Sequence, residues 1–186
     1  MTIDELEQGI RKQHLEDMEK EIYVDKLTVT YSGYFSYNEF MEMINRWCQD
    51  HGYYRDIQSS SQKVAEKGVS KSFALQLQRK ISHAHLSVLN VDIDFSDMVE
   101  VQKDVDGRMR TINKGDVEIV FHGYLMTSRK ATWESKAYFA FIRTLVDKFI
   151  YKLDRPKYRG TVVADGNDLA KSMRGFLELY KRKIKD

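Results

Sequence analysis

Between Val69 and Thr127 the chain alternates apolar and polar residues in one run after another, and amphipathic helical patterns stand on either side. Period-2 alternation is the mark of strands with one face in a core and the other in water. Turns as short as Asp106-Gly107 join such strands antiparallel, because a two-residue hairpin needs positive φ at its centre. A chain of this pattern must form a sheet that needs cover on one face, and the flanking helices are there to supply it.

Ile22 to Tyr34 reads as a strand, with Leu27, Val29 and Tyr31 on one side and Thr28 and Thr30 on the other. The helix that follows is the most fully specified element. Ser36 and Glu39 have capping-box spacing, Phe35 and Phe40 are placed as a hydrophobic staple, and Gly52 suits a left-handed stop. Its buried stripe is expected to be Phe40, Ile44, Trp47 and Cys48. Tyr53 to Gln58 reads as a short strand and Ser59 to Gly68 as a loop or an exposed strand pair. Phe73, Leu75, Leu77 and Ile81 then alternate with polar residues, as do Leu89, Val91, Ile93 and Phe95. Val99–Lys103 and Arg108–Ile112 flank the Asp106-Gly107 hairpin, Gly115 marks a further turn, and Val117, Ile119, Phe121 and Leu125 close the series.

Thr132 caps a helix expected to reach about Leu153, with two adjacent i,i+4 apolar rows, Ala137, Phe141, Leu145, Phe149 and Leu153 beside Tyr138, Ile142, Val146 and Ile150. Pro156 ends this region, a turn-rich link runs from Lys157 to Gly166, and a last helix buries Leu169, Met173, Phe176, Leu177 and Tyr180. At the other end Thr2 and Glu5 have capping spacing over a thin stripe of Ile3, Leu6 and Ile10, so residues 1–21 read as an acidic helical extension. The fold expected is a single α+β domain over residues 1–186. A curved antiparallel sheet of about six strands packs against two or three helices, the long ones C-terminal. In its order of elements this layout resembles the helix-grip folds of the START and polyketide-cyclase type, a resemblance of layout that no motif carries further.

Composition bounds the function. Hydrophobic residues at 42% and aromatic residues at 12% provide a core, and 31% charged residues provide a solvated exterior. The net charge of +2 conceals a polarity: residues 1–25 hold three basic and eight acidic residues, residues 128–186 fifteen and seven. A lone cysteine, Cys48, excludes an intramolecular disulfide framework and a multi-cysteine zinc site. No apolar run approaches the length of a membrane span and no signal pattern opens the chain, so a cytoplasmic, reducing setting is expected.

No residue pattern carries a recognisable chemistry. His83 and His85 share a strand face at i,i+2 spacing, and His122 would complete a metal set only if the fold gathered all three. Cys48 and His51 lie one turn apart at a helix C-terminus, where the dipole disfavours a thiolate. Asp92, Asp94, Asp97, Asp104 and Asp106 do not follow the order of an EF-hand loop. Glu118 and Glu134 form no carboxylate pair of defined spacing, and Gly160 and Gly166 lack the lysine and hydroxyl of a P-loop. No catalytic residue, metal or cofactor is therefore assigned.

The leading expectation is a non-catalytic interaction or structural-assembly protein, with a protein partner or self-association through Tyr138, Phe139, Ile142 and Val146 on the wide helix. The alternative is a carrier of an apolar small molecule held between sheet and helix, lined by Phe73, Leu75, Leu89, Phe121, Phe141 and Leu145. A further alternative is a polyanion-binding or nucleic-acid-binding module that uses Lys152, Arg155, Lys157 and Arg159.

Overall fold

The computed structural model describes residues 18–82, 85–105, 107–128 and 151–184. In chain order they form β1 (Met18–Phe35), α1 (Tyr37–Asp50), β2 (Tyr54–Ala65), β3 (Gly68–Lys80), β4 (His85–Val105), β5 (Arg108–Ser128) and α2 (Tyr151–Lys183). The strands make one antiparallel sheet in the order β1-β5-β4-β3-β2, and both helices pack on one face of it. The layout is the α+β arrangement expected, with five long strands in place of about six.

The count differs because runs expected as separate strands are continuous. Leu89–Phe95 and Val99–Lys103 both belong to β4, which passes through a bulge between Ser96 and Val99, with Asp97 at φ +50°. Two glycines make room for that bulge from opposite sides. A Cβ on Gly115 would stand 2.8 Å from the Ser96 carbonyl oxygen, and one on Gly68 2.8 Å from the Asp97 carbonyl carbon. Gly115 is thus no turn: it sits inside β5 opposite Gly33, where only a residue without a side chain lets the bulged backbone approach. Between β4 and β5 the chain turns as expected, with Val105 paired to Arg108 and Gly107 at φ +78°.

α1 forms as its sequence dictates. The Ser36 hydroxyl accepts the Glu39 amide at 3.3 Å, Gly52 takes φ +67°, and Phe40, Ile44, Trp47 and Cys48 are the buried positions. The Glu39 carboxylate does not close the capping box. It accepts the Tyr180 hydroxyl at 2.6 Å and faces the Arg110 guanidinium at 3.3 Å, so it binds α1 to α2 and to β5.

α2 corrects the expected link at 157–166. The helix runs unbroken from Tyr151 to Lys183 through Pro156, Gly160 and Gly166. Its buried stripe, Val162, Leu169, Met173, Leu177 and Tyr180, recurs at helical spacing, and this burial outweighs the poor intrinsic propensity of proline and glycine. Gly166 falls on the stripe beside Val24 and Leu89, which also fill the space above Gly123. At roughly 1.5 Å per residue the helix spans about 50 Å. It therefore reaches from Tyr158, stacked on His85, to Tyr180, packed with Val105 and Ile112 at the β4–β5 hairpin. The helix expected from Thr132 lies outside the described residues as far as 150, and residues 1–17 of the acidic extension lie outside them too. Met18–Glu21 belongs to β1.

One ring organises the core. Phe95 stacks on Phe35 at 5.7 Å and takes Tyr37, Phe40 and Phe73 edge-on at 5.3, 5.9 and 6.4 Å. It thereby joins β1, α1 and β3 to β4. Edge-to-face and offset-stacked pairs add about 0.5–1.5 kcal/mol each beyond area burial. Phe95→Ala is expected to destabilise the fold by about 3–5 kcal/mol, measurable as a lower midpoint of urea unfolding at unchanged m-value.

Candidate functional site

Polar chemistry inside the molecule gathers where α1 ends and α2 crosses the sheet. The Tyr53 hydroxyl donates to Asp165 Oδ2 at 2.7 Å and lies 2.8 Å from the Ser87 hydroxyl. Arg79 donates to the same Asp165 oxygen and to the His51 carbonyl, and its guanidinium stands over the Tyr53 ring. One turn along α2, Asp168 accepts the Trp47 indole N–H at 2.8 Å and faces His51 Nε2 at 3.4 Å. His51 in turn stacks on Trp47 at 4.2 Å between centroids. Burial, with Asp165 adding to it, pushes the Tyr53 hydroxyl far above its ordinary range, and the Ser87 contact works against this. The phenol stays protonated and donates.

This constellation is a latch. Both carboxylates are engaged by donors from α1 and β3 or from the Tyr53 corner, and among the described residues no buried side-chain nitrogen or oxygen lacks a partner. A general base or nucleophile needs a polar atom aimed at substrate space, and here the atoms are aimed at each other.

The residues singled out in the sequence fall as follows. Cys48 is buried, and burial pushes its thiol up to about 11 against a smaller opposing pull from Arg55, so it is held as an inert thiol. His85 lies on the helix-covered face against Tyr158, whereas His122 lies on the opposite face beside Asp25, so the fold does not bring these two together; His83 lies outside the described residues. Asp92 and Asp94 are exposed on that opposite face with Glu118, and no group of three or more histidine, cysteine or acidic side chains among the described residues is arranged to hold a metal ion.

Of the six carrier positions, Leu75, Leu89 and Phe121 are buried in the main core with Leu169 and Met173, and Phe73 is partly buried against it; Phe141 and Leu145 lie outside the described residues. Arg159 is exposed, with its guanidinium 5.6 Å from the Tyr23 ring centre. Lys152, Arg155 and Lys157 belong to the first turns of α2, and their side chains are outside the description, as are Tyr138, Phe139, Ile142 and Val146 altogether. A cleft of about 510 Å³ between α1 and α2 is lined by Glu39, Glu42, Met43, Arg46, Trp47 and Phe176 among others. Its charges already answer each other in part, with Arg46 on Glu42 at 2.6 Å and Glu39 held by Tyr180 and Arg110. No helix among the described residues is long and apolar enough to cross a membrane.

No family model, curated protein or solved structure matches this chain. Its site has to be read from its own residues.

The feature that the sequence leaves open, between a loop and an exposed strand pair, is the outer edge of β2. This strand of 12 residues pairs with β3 on one side, and among the described residues no strand pairs with the other. From Ile57 to Ala65 every side chain is exposed, and Ile57 and Val64 keep 48% and 71% of their surface in water. Ser59, Ser60, Ser61 and Gln62 carry no apolar alternation, which is why the stretch resembles a loop in sequence. The pairing Ile57↔Leu75 through Ala65↔Gly68 shows that it is a strand drawn out by its neighbour, with one irregularity between Ile57 and Ser59.

The latch predicts a stability effect. Asp165→Ala removes the acceptor shared by Tyr53 and Arg79, two groups kept largely from water, and is expected to cost about 2–4 kcal/mol. Urea unfolding of the variant beside Asp168→Ala, whose carboxylate is half exposed, is expected to show the larger loss at Asp165.

Proposed function

We propose that this protein is a non-catalytic interaction module that binds a partner by adding a strand at the β2 edge. One observation carries the reading: among the described residues a long strand ends the sheet with its outer backbone edge unpaired and its side chains exposed from Gln58 to Ala65. Such an edge presents a row of backbone donors and acceptors that templates another strand, and natural sheets cover or distort edges they do not use. Ile57 and Val64 add exposed apolar area beside that row, where an incoming strand would cover it.

The other observations agree with an interaction role. The latch carboxylates serve the packing of α2, Cys48 is shielded, and the described carrier positions are built into the core, which favours interaction over carriage of a small molecule. A chain with a single, buried cysteine gains no intramolecular disulfide from an oxidising compartment, and we place the protein in the reducing cytoplasm.

Lysine on an edge strand is a device by which proteins prevent pairing. Ile57→Lys combined with Val64→Lys is expected to weaken association at least tenfold, read by sedimentation for the chain with itself and by quantitative pull-down for other proteins. Glu42→Lys in the α1–α2 cleft is expected to leave association unchanged. The reverse pattern, loss at the cleft and none at the edge, overturns the edge as the site.

A further inference from the structure

We infer that the strand taken up by β2 is the β2 of a second copy of this chain, paired antiparallel about a two-fold axis near Ser60, so that two five-stranded sheets become one. The inference rests on the edge-strand reading above and names its partner.

The two ends of the sheet differ. At one end, β1 departs from regular pairing twice between Ile22 and Leu27, and Lys26 takes φ +50°. α2 lies against β1 here, with Arg159 over the Tyr23 ring and Gly166 close to Val24. A bulged, helix-backed strand is a poor template. β2 has a single irregularity, at Gln58, and from there to Ala65 it is exposed, with no helix among the described residues behind it. If both ends were equally open, copies would add head to tail without limit. With β2 the more open of the two ends among the described residues, the strand meets its own equivalent, and an isologous contact closes at two copies.

The side chains of β2 suit that contact. In an antiparallel self-pairing centred on Ser60, with Ser59 opposite Ser61 and the irregularity at Gln58 taking up the extra residue, Asp56 of each copy faces Lys63 of the other. Both residues already lie on one face: Asp56 pairs with Gln76 and Lys63 with Ser70, two positions on the same side of β3 and opposite to the core-facing Leu75 and Leu77. The symmetry makes the opposite-charge pair twice, once at each end of the seam, and places small Ser59, Ser60 and Ser61 at the centre, where two backbones come closest. The same register puts Ile57 opposite Gln62, whose aliphatic stem gives it partial cover.

The experiment is sedimentation velocity on the full chain from about 1 to 500 µM, with three sequences compared: the natural one, Lys63→Glu, and Asp56→Lys combined with Lys63→Glu. The substitutions fall on a strand edge outside the core, and far-UV circular dichroism checks that all three fold alike. The natural chain is expected to form a dimer. Lys63→Glu sets like charges opposite each other twice and should raise the dimer dissociation constant about tenfold, and the double exchange should return it to within about threefold. A natural chain that stays monomeric at every concentration overturns the second copy as partner while leaving the edge open to a foreign strand. A dimer equally tight in all three sequences overturns this register, and one that also survives Ile57→Lys with Val64→Lys overturns the edge-strand reading itself.

Discussion

A flat antiparallel sheet has two faces and two ends, and each must be covered, distorted or used. Here α1 and α2 cover one face, and the other carries a small buried cluster of Val88, Tyr124 and Met126 beside polar groups such as Asp92, Asp94 and Glu118. The ends are treated unequally. β1 is irregular twice and lies under α2, while β2 is irregular once, at Gln58, and runs out past the helix layer with its outer edge unpaired among the described residues. Exposed backbone donors and acceptors are solvated at little cost in a monomer, yet they remain a template for any chain with a matching edge. In the proposed reading, that asymmetry makes the β2 end the one that pairs.

Holding the asymmetry requires that the helix layer not slide. Phe95 joins β1, α1, β3 and β4 through ring contacts at the centre. The Tyr53–Asp165–Arg79 and Trp47–Asp168–His51 contacts fix α2 near one end of its crossing, and Tyr180–Glu39 fixes it near the other. The polar groups of the interior therefore act as positioning devices. Their geometry keeps α2 over β1, β5 and β4.

Much of the fold was legible in residues whose chemistry is local. Ser36, Phe40 and Gly52 fix α1 by themselves, and Asp106-Gly107 fixes the hairpin, because caps and tight turns depend on a few neighbouring residues. What local chemistry could not reveal was set by distant partners. Gly115 resembles a turn residue until the bulge at Asp97 is seen pressing on it from β4. Pro156 and Gly166 resemble breakers until the buried stripe from Val162 to Tyr180 overrides them. Glu39 completes a capping box in sequence but answers to Tyr180, 141 residues away. The candidate site was the least legible part, since Ser59–Gln62 has no strand pattern and becomes a strand only through β3.

The central claim is that the β2 edge is where this molecule meets another. Amide hydrogen exchange on the natural chain, followed as concentration rises, tests it most directly, because outward-facing β2 amides bond to water in the monomer and to backbone in the pair. The account predicts that protection grows with concentration within Tyr54–Ala65 while the cleft lined by Met43 and Phe176 exchanges unchanged. Protection that rises at the cleft, with β2 amides exchanging at one fast rate throughout, would contradict it.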